Sequence, residues 1–500
     1  MKLAGIHDGP RPSILGLMRT LPGRNAMLPD YLSMFLADHD CLSVENPATG
    51  EVVAKVAIHT LPQIYAMIDK ATSQGRAWAA WTARDRATVL KRWHSLIMDR
   101  KEELAAICTM ECGKPFAESL GEIAYAASFV EWFAEEGKRT YGETIPTFAQ
   151  GKRVLTFKQP VGTCAAITPW NFPLAMITRK VAPALAAGCA MLVKPAEATP
   201  LSALALESLA VEAGLPQGLF RIVCTEDPVS VGKLFCEHPQ IRKLSFTGST
   251  AVGKTLLAQA AGTVKRVSME LGGNAPFIIF DDADIDAAVE GFMLSKFRNA
   301  GQTCVCANRL LVHDSIREAV LERLLPLVRK LKVGPGNVQQ TQVGPLINRY
   351  AVQKVVALVR DAVEQGAIVL EGGGLHPAGP QFFQPTVLDC VTAGMTIANT
   401  EIFGPVVSVI SFKTEEEALR IANSTPYGLA AYFYSRDIGR IWRVMEGLEY
   451  GMVAVNEGAL STEVAPFGGV KESGLGREGS HYGIEEYLEV KYSLIGGLAA

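Results

Sequence analysis

The chain has 500 residues, 48% hydrophobic and 20% charged, which is a globular composition with room for roughly two to four domains. Its net charge of -3 provides no basic field for nucleic acid or an anionic membrane, so neither is expected as a partner. No 18-residue window is uninterruptedly apolar, and the 10 cysteines form no C-x-x-C pair and have no His at zinc-finger spacing. No membrane span, no metal and a reducing compartment are therefore expected, with the cytoplasm as the default location. The basic residues Lys2, Arg11, Arg19 and Arg24 give the start only a faint likeness to an import signal.

From Leu61 to about Gly142 apolar residues recur at helical spacing: Ile64, Ile68 and Ala71, then Trp78 and Trp81, then Leu90, Trp93, Leu96 and Ile97. From Val154 to Val223 the pattern changes to short β-rich runs, Thr163 to Ile167, Met191 to Val193 and Phe220 to Val223, separated by helical stretches such as Leu201 to Ala213. Strand and helix alternating at this interval predict a parallel α/β sheet. Leu244 to Phe246 and Phe277 to Phe280 continue the series, and the alternation runs again from Arg309 to Phe412, so two α/β units are expected to meet near Gly272. The ending from Tyr487 to Tyr492 alternates and suits an edge strand that pairs with another subunit.

Two local features carry chemistry and compete. Cys304 and Cys306 stand one residue apart in a run with Asn299, Gly301, Gln302 and Thr303, and turn-forming polar neighbours of this kind present a reactive thiol. Gly248-Ser249-Thr250-Ala251-Val252-Gly253-Lys254-Thr255 matches the P-loop pattern in full, and Phe277 to Phe280 followed by Asp281 and Asp282 imitates the acidic strand that holds magnesium beside such loops. A nucleoside triphosphatase is thus one alternative, and a non-catalytic binding protein is another. Under either enzymatic reading, small residues opening a helix at Ser249 offer N–H groups to a phosphate. The triphosphatase reading leaves the thiol segment, Glu270 and several other motifs without a role.

Seven segments occur in order: Ile167-Thr168-Pro169-Trp170-Asn171-Phe172-Pro173, Lys194-Pro195-Ala196-Glu197, Phe246-Thr247-Gly248-Ser249-Thr250, Met269-Glu270-Leu271-Gly272-Gly273-Asn274, Gly301-Gln302-Thr303-Cys304, Glu401-Ile402-Phe403-Gly404-Pro405 and Pro466-Phe467-Gly468-Gly469. Together they resemble the NAD(P)-dependent aldehyde dehydrogenase superfamily, over roughly Val44 to Tyr492. Within it the likeness is to the succinate-semialdehyde dehydrogenases, with glutarate-semialdehyde dehydrogenases nearly as close. It is carried by Ser295-Lys296-Phe297-Arg298-Asn299, Ile177-Thr178-Arg179-Lys180 and Val464 to Lys471 after Ser461.

The resemblance implies an α/β protein of aldehyde dehydrogenase-like fold, with a Rossmann-type dinucleotide-binding domain, an α/β catalytic domain and a small β oligomerisation arm. The expected boundaries are an atypical extension over 1–40, the dinucleotide-binding domain over 41–142 and 160–271, the catalytic domain over 272–483, and the arm over 143–159 and 484–500. Residues 1–40 lack the usual short strand and turn before Asn46. Arm exchange implies a homodimer or homotetramer.

The same resemblance makes Cys304 the nucleophile, Asn171 the side-chain donor to the oxyanion, and Glu270 the general base for thioester hydrolysis. The competing reading of Glu270 is a partner for Arg266. Trp170, Lys194, Pro195, Ala196, Glu197, Gly248, Ser249, Thr250, Gly253, Glu401 and Phe403 are the expected cofactor contacts. Gly248 and Gly253 would permit close approach to the pyrophosphate, and Lys254 is read as a solvated lysine. The Glu197 carboxylate favours NAD, because it accepts from a free 2′-OH and repels a 2′-phosphate, without excluding NADP. Arg179, Arg298 and Ser461 would hold the far carboxylate of a semialdehyde acid, unless the arginines serve interdomain salt bridges. Cys306 has no step of its own and would form a reversible disulfide with Cys304 under oxidation.

Overall fold

Two largely parallel sheets, each with its own apolar core, carry the functional loops between them. The structure is a computed structural model that describes residues 28–498, so most of the 1–40 segment lies outside the described residues. The first sheet runs Gly474–Leu475, Arg266–Glu270, Ile241–Thr247, Thr163–Ile167, Ala190–Lys194, Phe220–Ile222, parallel except at its Gly474–Leu475 edge. The second runs Ile368–Glu371, Thr386–Asp389, Val406–Phe412, Ala307–His313, Ala275–Ile279, Ala430–Tyr434, Met452–Val455, antiparallel only between the first two. Strands Ala190–Lys194 and Ala275–Ile279 are buried at every position. This is what unbroken apolar runs produce when helices cover both faces of a parallel sheet.

In the first sheet the chain moves outward from Thr163–Ile167 through Ala190–Lys194 to Phe220–Ile222, then returns to lay Ile241–Thr247 on the other side. The order therefore reverses between Thr163–Ile167 and Ile241–Thr247, and the crevice beyond the carboxyl ends of those strands is where a doubly wound sheet binds ligands. Trp170 and Asn171 follow the first of these strands, and Gly248 follows the second. The facing loops come from the amino ends of second-sheet strands: Cys304 precedes Ala307–His313, and Glu401 and Phe403 precede Val406–Phe412.

Helices Leu61–Ala79, Ala83–Asp99, Lys101–Cys112 and Phe116–Glu136 pack beneath the first sheet and bury Ile64, Ile68, Ala71, Trp78, Leu90, Trp93 and Ile97 at the spacing read from sequence. Trp81 departs from that pattern. The first helix ends at Ala79, and Trp81 lies in the following turn, 41% exposed, with its ring 4.9 Å from that of Trp78. A third, antiparallel sheet joins Leu488–Ile495, Arg153–Pro160 and Thr144–Ile145. No helix among the described residues is long and apolar enough to cross a membrane.

The second sheet's core sets a stability expectation. Ile278 is fully buried at its centre, so Ile278→Ala is expected to cost on the order of 2–5 kcal/mol through lost transfer energy and the cavity left behind. Urea and thermal unfolding would measure it, and a loss below about 1 kcal/mol would mean that the sheet collapses around the gap.

Candidate active site

The thiol loop begins where helix Ile285–Phe297 stops. Asn299, Ala300 and Gly301 follow with φ of 50°, 55° and 77°. Left-handed backbone at two non-glycine residues costs on the order of 1–3 kcal/mol each, so the surroundings must enforce it. They do so through specific contacts. The Asn299 N–H donates to the Glu118 carboxylate at 2.7 Å, Gln302 Nε2 donates to the Pro345 carbonyl at 3.2 Å, and the Ile347 N–H donates to Gln302 Oε1 at 2.9 Å. Gly301 is required, since a Cβ there would lie 2.3 Å from the Gly404 carbonyl.

The turn leaves Cys304 half-buried on the wall of a cavity of about 270 Å³ shared with Trp170, Asn171, Gly248, Ser249, Glu401 and Phe403. Seven of the residues singled out from sequence thus meet around one space. Burial, then the neighbouring Glu401, pushes the Cys304 thiol up to about 12, against the opposing pull of Arg179. Cys306 is buried outside the cavity lining, with its Sγ accepting from Lys296 Nζ at 3.5 Å, and both thiols are free.

Asn171 is buried, and its Nδ2 donates to the Gln302 carbonyl at 3.0 Å, which uses one of the two amide hydrogens. The second is available to an oxyanion formed at Cys304. Among the described residues the Cys304 N–H makes no backbone hydrogen bond, so it too is available.

Glu270 ends strand Arg266–Glu270, is 3% exposed, and neither carboxyl oxygen has a hydrogen-bond partner. It does not pair with Arg266, which reaches Glu489 and the Leu488 carbonyl instead. Burial, followed by the negative charge of Glu478, raises the Glu270 carboxyl well above the usual range. Once ionised it is a correspondingly strong base. Leu271 and Gly272 line the cavity where Glu270 itself does not, and the next residue is packed so closely that a Cβ on Gly273 would lie 2.4 Å from the Cys304 carbonyl.

Arg179 is buried and ion-paired with Glu478, which also pairs with Lys180. The salt-bridge alternative is therefore real for Arg179, but its Nη2 is buried without any partner and its guanidinium lies 4.0 Å above the Phe467 ring. Arg298 makes no ion pair among the described residues and stands 4.7 Å above the Phe172 ring. Ser461 is half-buried in the loop before Pro466.

On the cofactor side, Trp170 and Phe403 meet edge to face with centroids 5.7 Å apart, and Phe403 is held at φ 58°. Glu401 accepts from the Gly273 N–H at 3.2 Å, and burial raises its carboxyl to about 7. Ser249 caps helix Thr250–Ala260 by accepting from the Val252 N–H at 3.4 Å. Lys194 Nζ pairs with Glu197 at 2.5 Å and donates to the Pro195 carbonyl at 2.9 Å, at the carboxyl end of a strand adjoining Thr163–Ile167. These residues and Ala196 lie outside the cavity that Cys304 lines.

Gly253 does not meet the expectation of clearance for a phosphate. A Cβ there would lie 2.4 Å from Leu271 Cδ2, so the glycine lets its helix sit against the cavity wall. At Gly248 the Phe246 ring occupies the same kind of space, 2.5 Å from a Cβ. Thr250 donates to the Glu472 carbonyl at 3.3 Å. Lys254, although 57% exposed, pairs with Glu472 at 2.8 Å.

Met176, Thr247 and Lys354 also line the cavity and were not singled out. Thr247 Oγ1 is buried without a partner. Together with the open N–H groups at Ser249 this is a donor set that fits a dinucleotide. Lys354 lies in helix Arg349–Glu364, far from every motif, and only its amphipathic spacing was visible in the sequence.

The Aldehyde dehydrogenase family profile matches residues 35–493. The chain belongs to the aldehyde dehydrogenase family. It is 54% identical over 457 residues to the NADP(+) succinate-semialdehyde dehydrogenase of Escherichia coli (strain K12), covering 91% of this chain and 95% of that one. To the glutarate-semialdehyde dehydrogenase of Pseudomonas aeruginosa it is 53% identical over 457 residues, covering 91% and 94%. The crystal structure of succinate-semialdehyde dehydrogenase from Burkholderia pseudomallei superposes with a TM-score of 0.91 at 55% identity, covering 92% and 96%.

This aldehyde dehydrogenase is an NAD(P)-dependent oxidoreductase, and the triphosphatase alternative falls. Its physical basis falls as well, because Lys254 is turned to Glu472, while Asp281 and Asp282 follow a strand of the other sheet and bind Arg440 at 2.8 and 2.6 Å.

A thiol held at about 12 implies that, without ligands, iodoacetamide inactivates the dehydrogenase about tenfold faster per unit between about pH 7 and 10, as the thiolate fraction grows. A plateau below about pH 9 would show that the resting thiol is already ionised.

Proposed function

We propose that the protein oxidises succinate semialdehyde to succinate with NAD, and that glutarate semialdehyde is its alternative substrate. The observation that carries the substrate class is unsatisfied guanidinium chemistry: a buried Arg179 Nη2 with no partner, on a side chain whose charge acts on Cys304, and an Arg298 with no ion pair among the described residues. Guanidinium groups placed in this way fit a carboxylate at the far end of a short aldehyde, with Ser461 as a further donor.

Cys304 Sγ gives its proton to the Glu270 carboxylate and attacks the aldehyde carbon, so that a C–S bond forms and the carbonyl oxygen becomes an oxyanion. The second Asn171 amide hydrogen and the Cys304 N–H stabilise that charge in a buried site, where each donor is worth more than in solution. When bound, the nicotinamide supplies the acceptor for the hydride that turns this thiohemiacetal into a thioester. Glu270 passes the thiol's proton to solvent and then takes a proton from water, whose oxygen adds to the thioester carbon. The C–S bond breaks, the acid leaves, and the proton on Glu270 returns to the thiolate, so that thiol and carboxylate are both restored. For the cofactor, Ser249 and Gly248 would hold the pyrophosphate, Lys194 and Glu197 the adenosine ribose, and Glu401 the nicotinamide ribose, with Trp170 and Phe403 flanking the ring.

The exposed Phe157, Val490, Tyr492 and Leu494 of the antiparallel arm support assembly as a homodimer or homotetramer. The cysteines free of disulfides support a cytoplasmic location. The domain division proposed is 41–142 with 160–271, 272–483, and an arm of 143–159 with 484–500, with Gly474–Leu475 reaching back to the first sheet.

Reduction of NAD in the presence of succinate or glutarate semialdehyde tests the activity, and comparing kcat/KM ranks the two acids. No NADH from either would refute it. Arg298→Leu is expected to raise KM for succinate semialdehyde roughly tenfold to a hundredfold, the worth of a charge-assisted hydrogen-bonded contact, with little effect on butanal. Equal losses for both aldehydes would make Arg298 structural.

Glu197→Ser is expected to shift the ratio of kcat/KM values from NAD toward NADP by removing the carboxylate that repels a 2′-phosphate. An unaltered ratio would refute that role.

A further inference from the structure

Lys114, Glu118 and Glu122 take part in none of the steps above, yet they contact both halves of the oxyanion site. Lys114 follows the tight Gly113 turn and has a fully buried side chain. Its Nζ donates to Glu122 Oε2 at 2.5 Å and to the Asn171 carbonyl at 2.7 Å, and it stands 3.9 Å above the Phe172 ring. The other Glu122 oxygen accepts the N–H groups of Leu174 and Ala175 at 2.9 and 3.3 Å, at the start of helix Ala175–Ala187, which carries Arg179.

One turn earlier in helix Phe116–Glu136, Glu118 holds the Asn299 N–H at 2.7 Å. Asn299 Nδ2 in turn donates to the Asn171 carbonyl at 3.1 Å. The Asn171 carbonyl thus accepts from Lys114, fixed by Glu122, and from Asn299, fixed by Glu118, beside a longer contact from the Cys112 thiol at 3.9 Å. Both carboxylates belong to a single rigid helix. Through it the loop after Thr163–Ile167 is tied to the left-handed turn before Cys304, although the two belong to different sheets.

A buried ion pair is weak support for stability, because desolvation offsets much of its attraction. A well-packed apolar pair could fill the same volume, but it could not donate to the Asn171 carbonyl.

We propose that Lys114 and Glu118 are positioning residues that fix the Asn171 amide against Cys304, so that its free N–H meets the oxyanion. The inference rests on the oxyanion role of Asn171, and a double-mutant cycle separates the two ideas. Lys114→Met combined with Glu122→Gln removes both charges, so no buried ion is left unpaired. With succinate semialdehyde and NAD, this variant is expected to lower kcat roughly tenfold to a hundredfold, the penalty of a slight misplacement, while KM for NAD stays within about twofold.

In an Asn171→Ala background the same change is expected to lower kcat by less than about threefold, because the group it positions is already gone. Equal losses in both backgrounds would overturn the inference and leave Lys114 a structural residue. If Asn171→Ala alone keeps the parent kcat, the oxyanion reading fails, and the inference fails with it. Should the Lys114 variant not fold by calorimetry, Glu118→Ala carries the same cycle, and Glu118→Gln, whose amide oxygen still accepts from Asn299, is expected to recover most of the rate. No recovery by Glu118→Gln would likewise overturn it.

Discussion

Desolvation governs this site. Glu270, Arg179, Lys180 and Glu478 are all buried, and burial is the leading cause of the raised Cys304, Glu270 and Glu401 groups. In water the thiol and the carboxyl would each ionise close to their ordinary values. Here burial raises both groups, which disfavours the charged form of each. The same burial strengthens every donor aimed at charge that forms later. A site built in this way trades resting reactivity for stabilisation of the transition state, which is where binding energy accelerates a reaction.

Such a site requires walls, and the walls come from two sheets that meet end to end. Carboxyl ends of first-sheet strands contribute Asn171, Gly248 and Leu271, while loops leading into second-sheet strands contribute Cys304, Glu401 and Phe403. Close packing fixes these loops. Gly301 fits against the Gly404 carbonyl, Gly273 against the Cys304 carbonyl, and Gly474 closes the first sheet beside Glu270. These contacts leave no room for side chains, which is why glycines stand there. The strain at Asn299, Ala300 and Phe403 is of the kind that survives only where surrounding structure over-determines the backbone.

What the sequence disclosed is what short segments encode. Cys304 stood out from its own turn-forming neighbours and the strand cores from their unbroken apolar runs, whereas Asn171, Glu270, Glu401 and Phe403 were singled out only by the family resemblance of their motifs. Contacts between distant segments were not legible. Nothing in the spacing of Gly474 and Leu475 announces a return to the first sheet, and Lys114 reads as an ordinary lysine after a glycine until Asn171 is placed above it. Gly253 was misread for a related reason. A glycine opening a helix suits both phosphate approach and side-chain packing, and only the position of Leu271 decides between them. Trp81 followed the helical period, but the period continued two residues beyond Ala79, where the helix stops.

The charge arrangement around Glu478 bears on the kind of aldehyde the site accepts. Arg179 and Lys180 share one carboxylate, Glu478. The interactions with both cations hold that carboxylate below its usual range despite burial. A guanidinium remains charged under all ordinary conditions, so Arg179 keeps a buried cation in place whose Nη2 is still unsatisfied. Two buried cations on one carboxylate leave an excess of positive charge, and a ligand that carries the opposite charge relieves its cost, whereas a neutral ligand of the same size does not. Arg298 differs in that it is only partly buried and lies over Phe172, so it can reorient around acids of different length. One arginine fixed by its neighbours and one free to adjust is an arrangement that suits an acidic tail better than a neutral one. Between a four-carbon and a five-carbon acid such an arrangement would offer only the small increment that one methylene provides.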